Sequence, residues 1–295
     1  MIPKEVLRNI RRIQITTSRL VTDVFAGQYQ SVFKGQGMEF DEVREYQPGD
    51  EIRSIDWNVT ARMGHAYVKK FVEERELTVM LVLDASLSCY VGSGSRMKRQ
   101  LAAELCSVIA LSADRNNDKV GLLVFTDRAE KFVPPRKGTR HVLRVVREAL
   151  YFAPAQTGTD IGAALEYLNR VTKRRTITFL ISDFLSPDFS RPLLVTNKRH
   201  DVVGIRIVDP AERAVPALGL VMFRDAETGE MCLTDTSDPK TRAQYEEISR
   251  ARARIAEESL RSAGVDLIDV RTDRSYTGEL MRFFSARARK MGRRL

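Results

Sequence analysis

The residues that most restrict the fold of this chain are Leu77 to Leu83, seven in a row and apolar except for Thr78, which run straight into Asp84-Ala85-Ser86-Leu87-Ser88. A short apolar run rich in branched residues and bounded by polar ones predicts a strand buried on both faces of a parallel sheet. Such a sheet needs helices on both sides, and ligand chemistry then collects at the carboxyl ends of its strands. Asp84, Ser86 and Ser88 are expected on that edge, in an extended loop whose alternate side chains point the same way. One carboxylate with two hydroxyls makes a hard, all-oxygen cluster of the kind magnesium prefers. The same residues serve equally well as caps of the next helix. This stretch alone leaves both readings open.

Elsewhere the periodicity alternates between strand and helix. Residues 3–25 carry Val6, Ile10, Ile13, Leu20, Val21, Val24 and Phe25 at helical spacing, with Pro3 in the first turn and Gly27 as the stop. This predicts an amphipathic helix packed on a neighbour, with a membrane-surface helix as the alternative. Residues 28–76 are dense in charge, hold the single Trp57, and turn at Pro48-Gly49, which predicts a small antiparallel β appendage with a strand near 65–72. Arg44, Asp50, Arg53, Asp56 and Arg62 are candidates to pair internally and fix that turn. The expected division is therefore an N-terminal helix and β appendage over 1–76, and a larger α/β domain over 77–295.

Within the larger part, strands are expected at 119–125, 131–133, 176–181, 201–208 and 265–270. Helices are expected at 96–114, 139–150, 160–171, 190–197, 239–263 and 276–289. Leu220–Phe223 and Met231–Thr234 flank a turn at Gly229 and predict an inserted β-hairpin. Gly92 and Gly94 invite a phosphate-loop reading, but neither GxGxxG nor GxxxxGK[ST] is present. The fold class is α/β, a doubly wound and mostly parallel sheet.

Composition removes several function classes. No apolar run approaches the ~20 residues that span a bilayer, and no signal-peptide pattern opens the chain, so a cytoplasmic location is expected. Cys89, Cys106 and Cys232 are too scattered for a disulfide framework or a CxxC zinc site, and His65, His141 and His200 lack metal-site spacing. The net charge of +9 favours acidic partners. Part of it lies at the ends, on Lys4, Arg8, Arg11, Arg12 and Arg19 and on Arg282, Arg287, Arg289, Lys290, Arg293 and Arg294. A solvated helix face accounts for these as well as a binding patch does. No aromatic residues are interleaved for stacking bases, so nucleic acid is disfavoured.

Three separate loops carry oxygen ligands: Asp84-Ser86-Ser88, the Thr157-Gly158-Thr159 turn, and Asp183 after the apolar run that ends at Ile181. In this combination residues 77–270 resemble the von Willebrand factor A-like fold and its metal-ion-dependent adhesion site (MIDAS). The resemblance implies that Ser86, Ser88 and Thr159 bind a divalent cation (Mg2+, or Mn2+ or Ca2+) through hydroxyls, while Asp84 and Asp183 act largely through water. Thr157 is a rival for the threonine position. A site so poor in anionic ligands leaves the ion electrophilic, open to a carboxylate from a partner. Two residues depart from the pattern: Phe184 stands where many A domains have Gly, and Cys89 follows the serines.

The preceding segment adds Gly37-x-Glu39-Phe40, Arg44-Glu45-Tyr46-x-Pro48-Gly49-Asp50, Arg53-x-Ile55-Asp56-Trp57 and Ala61-Arg62. These resemble the signature of the bacterial domain-of-unknown-function 58 family. That resemblance implies an adaptor or co-chaperone working with a MoxR-type AAA+ ATPase and a further client protein, in a form without membrane helices. Two other readings stand beside it. One is a metal-assisted phosphatase or nuclease; Ser86 occupies the place of the second Asp of a haloacid-dehalogenase-type phosphotransferase, and no His or Lys sits at recognisable spacing as a base. The other is nucleic-acid binding through the basic ends.

Overall fold

A computed structural model describes residues 39–72, 77–94, 96–226 and 228–292. The helix expected over 3–25 lies outside them. The described residues form two compact units that divide between Leu77 and Thr78.

The smaller unit is an antiparallel pair, β1 (Glu39–Glu45) and β2 (Tyr67–Val72), joined through a 3-10 turn at Ile52–Ser54 and a short helix, α1 (Trp57–Met63). The expected β appendage is present. Helix α1 was not legible, because seven residues are too few to show a period. Arg44 grips Asp50 with two hydrogen bonds of 2.8 and 2.7 Å, and the Gln47 N–H donates to the same carboxylate, closing the Pro48-Gly49 turn. Asp56 accepts the Asn58 and Val59 N–H groups and so caps α1.

The larger unit is built on a six-stranded sheet in the order β10-β7-β6-β3-β4-β5. The strands are β3 (Thr78–Asp84), β4 (Lys119–Phe125), β5 (Ala129–Arg136), β6 (Ile177–Ser182), β7 (Asp201–Val208) and β10 (Asp266–Arg271). All neighbours are parallel except β4 and β5. This is the expected mostly parallel α/β sheet, with the apolar run of Leu77–Leu83 near its centre. Met80, Val82, Leu123 and Leu180 join one apolar cluster with α4 (Ile161–Val171), α5 (Ser190–Arg199) and α7 (Pro239–Ser262). Val79, Leu81 and Leu83 are equally buried, and alternation turns them to the opposite face. That face takes α2 (Lys98–Arg115), α3 (Thr139–Tyr151) and α8 (Thr277–Gly292). Each fully buried Leu or Met side chain contributes about 1.5–3 kcal/mol, so both layers are firmly seated.

The helices follow their sequence periods. Val142, Val145, Val146 and Ala149 on α3, and Ile161, Ala164, Leu165 and Leu168 on α4, are the buried stripes. Helix α7 differs: of its 24 residues only Ala256 and Leu260 are buried. A short helix, α6 (Pro210–Arg213), and the expected hairpin of β8 (Leu220–Arg224) and β9 (Met231–Asp235) lie between β7 and α7 in sequence. Gly204 on β7 is a close-approach position. A Cβ there would come within 3.1 Å of Leu260 on α7 and 3.3 Å of the Phe184 ring.

Candidate metal centre

Asp84 closes β3, and the Ala85 N–H pairs with the Phe125 carbonyl, so the chain leaves the sheet at a fixed point. The Asp84 carboxylate then organises the loop beyond it. Its Oδ1 accepts the Ser86 N–H at 2.9 Å, and its Oδ2 accepts the Ser182 hydroxyl at 2.6 Å. The loop is not extended, contrary to the expectation from alternation. Leu87–Tyr90 form a 3-10 turn, with the Cys89 N–H donating to the Ser86 carbonyl. A tight turn satisfies backbone groups that an extended segment would leave buried and unpaired. The two hydroxyls nevertheless converge, with Ser86 Oγ 3.0 Å from Ser88 Oγ.

The second loop is tied to the first. The Leu87 N–H donates to the Thr157 carbonyl at 3.0 Å, and the Asp160 N–H donates to the Thr126 carbonyl. Asp160 caps α4 by accepting the Ala163 N–H. Thr159 is held between these fixed points, buried, and lines the same cleft as Ser88 and Asp183. Thr157 is exposed and lends the site only its carbonyl.

Asp183 follows β6, directly after the serine that holds Asp84. Its Oδ1 accepts the Leu185 N–H at 3.0 Å and its Oδ2 accepts the Lys98 ammonium at 2.7 Å. All five expected ligands are buried, from Ser86 at 0% to Ser88 at 8% exposed. Burial first, and the nearby Asp183 charge second, push the Asp84 carboxyl up to about 6. A dry carboxyl group raised by its neighbour's charge favours a cation beside it.

Lys98 stands at no recognisable spacing from the oxygen ligands. Tertiary folding supplies it. Lys98 opens α2, is completely buried, and donates to Glu212 as well as Asp183. Burial opposes its charge, but the two carboxylates outweigh that and hold its pKa above that of an ordinary lysine. A signal is present in the helix pattern: Lys98 heads the stripe Leu101, Ala102 and Leu105, at steps of three, four and seven. The role of Ser182 is equally invisible in the sequence. Beyond them a polar network continues along the rim, where the Asp209 carboxylate accepts the Ser93 N–H and hydroxyl, the Ala211 N–H and the Thr272 hydroxyl. Gly92 is needed there for space, since a Cβ would lie 2.8 Å from the Arg96 carbonyl. That steric demand accounts for the glycine.

Phe184, the departure from the A-like pattern, has φ of 62°. A non-glycine residue in this region costs about 1–2 kcal/mol. Its buried ring packs 5.9 Å from that of Phe189, and burial of this kind is worth about 3–4 kcal/mol. Phe184→Gly is therefore expected to destabilise the protein by about 2 kcal/mol net, as read from the denaturant midpoint. A gain in stability would show that backbone strain dominates. Cys89, the other departure, is buried, and burial followed by the charges of Asp84 and Asp183 raises its thiol well above the usual range. It is an inert filler beside Ser86.

The donor set is all oxygen, which suits a hard divalent cation. Ser86 Oγ and Ser88 Oγ share a hydrogen bond of 3.0 Å, so the two hydroxyls stand side by side as neighbouring oxygen donors. Among the described residues no group of three or more His, Cys, Asp or Glu side chains is placed to hold a metal, so any ion here relies on hydroxyls.

The chain is 32% identical to the uncharacterized protein Rv1480 of Mycobacterium tuberculosis over 283 residues, covering 95% of this chain and 89% of that one. Among solved structures it is similar to an aerotolerance-related membrane protein from Bacteroides fragilis, at 18% identity and a TM-score of 0.48, covering 72% of this chain and 99% of that one. It is also similar to proximal thread matrix protein 1 from the mussel byssus, solved with a zinc-occupied MIDAS motif, at 11% identity and a TM-score of 0.41 over 73% of this chain and 48% of that one. The model of the family described as "Protein of unknown function DUF58" matches residues 42–255, and with that match the chain belongs to the DUF58 family.

Proposed function

We propose that this chain is a non-enzymatic recognition module whose Asp84, Ser86, Ser88, Thr159 and Asp183 hold a divalent cation such as magnesium. The observation that carries the reading is the pair of serine hydroxyls 3.0 Å apart beside Asp84, in a buried site that also gathers Asp183. A bound ion would supply one electrophilic position to a partner's acidic side chain. The protein's part is to fix the hydroxyls with the 3-10 turn, orient Asp84 through Ser182, and keep bulk water out by burial.

The family resemblance suggests a MoxR-type AAA+ ATPase as that partner, with a client protein beyond it. A pull-down with a candidate ATPase in magnesium and in EDTA tests this, the expected result being capture in magnesium only. Equal capture in both would remove the ion from the interaction. A non-enzymatic role is favoured because Lys98 is committed to two carboxylates and the Cys89 thiol is held protonated, which leaves neither ready as base or nucleophile. Metal-dependent turnover of a phosphate ester, lost in Asp84→Ala, would overturn that.

One observation favours a second reading, an anionic polymer as partner. The C-terminal basic residues are partly engaged, Arg287 with Asp201 and Asp266 and Arg282 with Glu279. Exposed Arg170, Lys173, Arg174, Arg175, Lys198 and Arg199 instead gather where α4 and α5 end, at the sheet edge opposite Asp84. Binding of duplex DNA that falls steeply with salt and survives Ser86→Ala would select this reading.

A further inference from the structure

The site already contains a cation, the ammonium of Lys98. Its position is unfavourable on two counts. A positive charge at the N-terminus of an 18-residue helix opposes the helix dipole, and a fully buried ammonium forfeits its hydration. It is fixed from both sides. Asp183 Oδ2 at the end of β6 accepts from it at 2.7 Å, and Glu212 on α6 accepts from it as well. Glu212 in turn accepts the Asp209 N–H through its other oxygen, and Asp209 is held by Ser93 and Thr272. Lys98 cannot swing out without breaking contacts that reach the ends of β6, β7 and β10.

The consequence falls on Asp183. One oxygen faces Lys98 and the other accepts the Leu185 N–H. We propose that Lys98 is a positioning residue and internal counter-cation: by holding Asp183 Oδ2 and neutralising its charge it weakens direct coordination of a divalent ion by that carboxylate. The ion then relies mainly on the hydroxyls and its binding stays weak. This rests on the metal reading above and extends it, because ion affinity in oxygen sites is set by how many charged ligands reach the ion.

The test uses the full chain and a titration with Mn2+ followed by calorimetry or electron paramagnetic resonance. The decisive variant is Lys98→Met with Glu212→Gln. It removes one positive and one negative charge, so the net charge of the site is unchanged while Asp183 Oδ2 is released. Binding about tenfold tighter or more than in the native chain is expected, and Lys98→Arg should stay close to native affinity. A lysine that only braces the fold would give weaker binding on removal. If the native chain binds Mn2+ and the double variant binds no more tightly, the inference fails while the metal site stands. If neither binds, the metal reading fails and takes the inference with it. In the native chain the Lys98 ammonium resonance is expected to shift on addition of Mg2+. An unmoved resonance in a chain that binds the ion would overturn the proposal even if the variants do not fold.

Discussion

Asp84→Asn is expected to make the cation-free protein more stable at neutral pH and to abolish its stabilisation by magnesium. The sign comes from the carboxyl group. Burial and the Asp183 charge lift Asp84 to about 6, against an ordinary 3.8. A group raised by folding contributes stability that is complete below its unfolded pKa and lost as pH rises through its folded pKa. In EDTA the native protein should therefore lose stability between about pH 4 and pH 6, by an amount on the order of 3 kcal/mol. Asparagine has no charge to bury, but it replaces one of the two acceptors now used by Ser86 and Ser182. That loss costs about 1 kcal/mol, leaving a net gain of about 2 kcal/mol at pH 7.5. Magnesium reverses the ranking. At one hundred times its dissociation constant the ion adds about 2.7 kcal/mol to the native chain and nothing to a chain that cannot bind it. Thermal melts in EDTA and in magnesium should cross. Parallel responses of the two proteins to the ion would remove Asp84 from any metal site.

What the sequence disclosed and what it hid obey a physical division. Local periodicity and strand-end chemistry were legible, since Leu77–Leu83 could be little other than a buried strand and the hydroxyls of Ser86 and Ser88 had to lie where it stopped. The order of the sheet is consistent with right-handed crossovers between parallel strands. The edge strand β5 runs from Ala129 to Arg136, longer than the expected 131–133, because pairing with β4 overrides weak local preference and accommodates Pro134 and Pro135 at an edge. Hidden were the side chains whose partners come from remote segments. Lys98 meets Asp183 across 85 positions of sequence and Ser182 meets Asp84 across 98. A charged residue set into an apolar pattern marks such a contact without naming its partner. Arg206, between Ile205 and Ile207, is another case.

Arg206→Met is expected to lower stability by about 3 kcal/mol and to loosen α7 before the rest of the fold. The Arg206 side chain is 4% exposed, and its guanidinium makes two hydrogen bonds to Asp269, of 2.6 and 2.7 Å, one of 2.6 Å to Glu257, and one to the Ala253 carbonyl. Charged hydrogen bonds are worth about 1.5–3 kcal/mol each, and simple addition would give well above ~5 kcal/mol. Addition overstates the loss. The side chains of Asp269 and Glu257 are 42% and 51% exposed, so they regain water when the arginine is gone, and methionine refills most of the aliphatic stem. The lower end of the range for a broken buried pair, about 3 kcal/mol, is the better expectation. Its distribution matters more than its size. With only Ala256 and Leu260 buried along 24 residues, α7 has little apolar area to hold it, and Arg206 clamps it to β7 at the level of Ala253 and Glu257. Helix α7 also lines the cleft that reaches Ser88, Thr159 and Asp183. Hydrogen exchange should show α7 amides losing protection first, with β3 and β6 unchanged until global unfolding. Uniform loss across the sheet would mean that Arg206 stabilises the core as a whole and that α7 is held by something else.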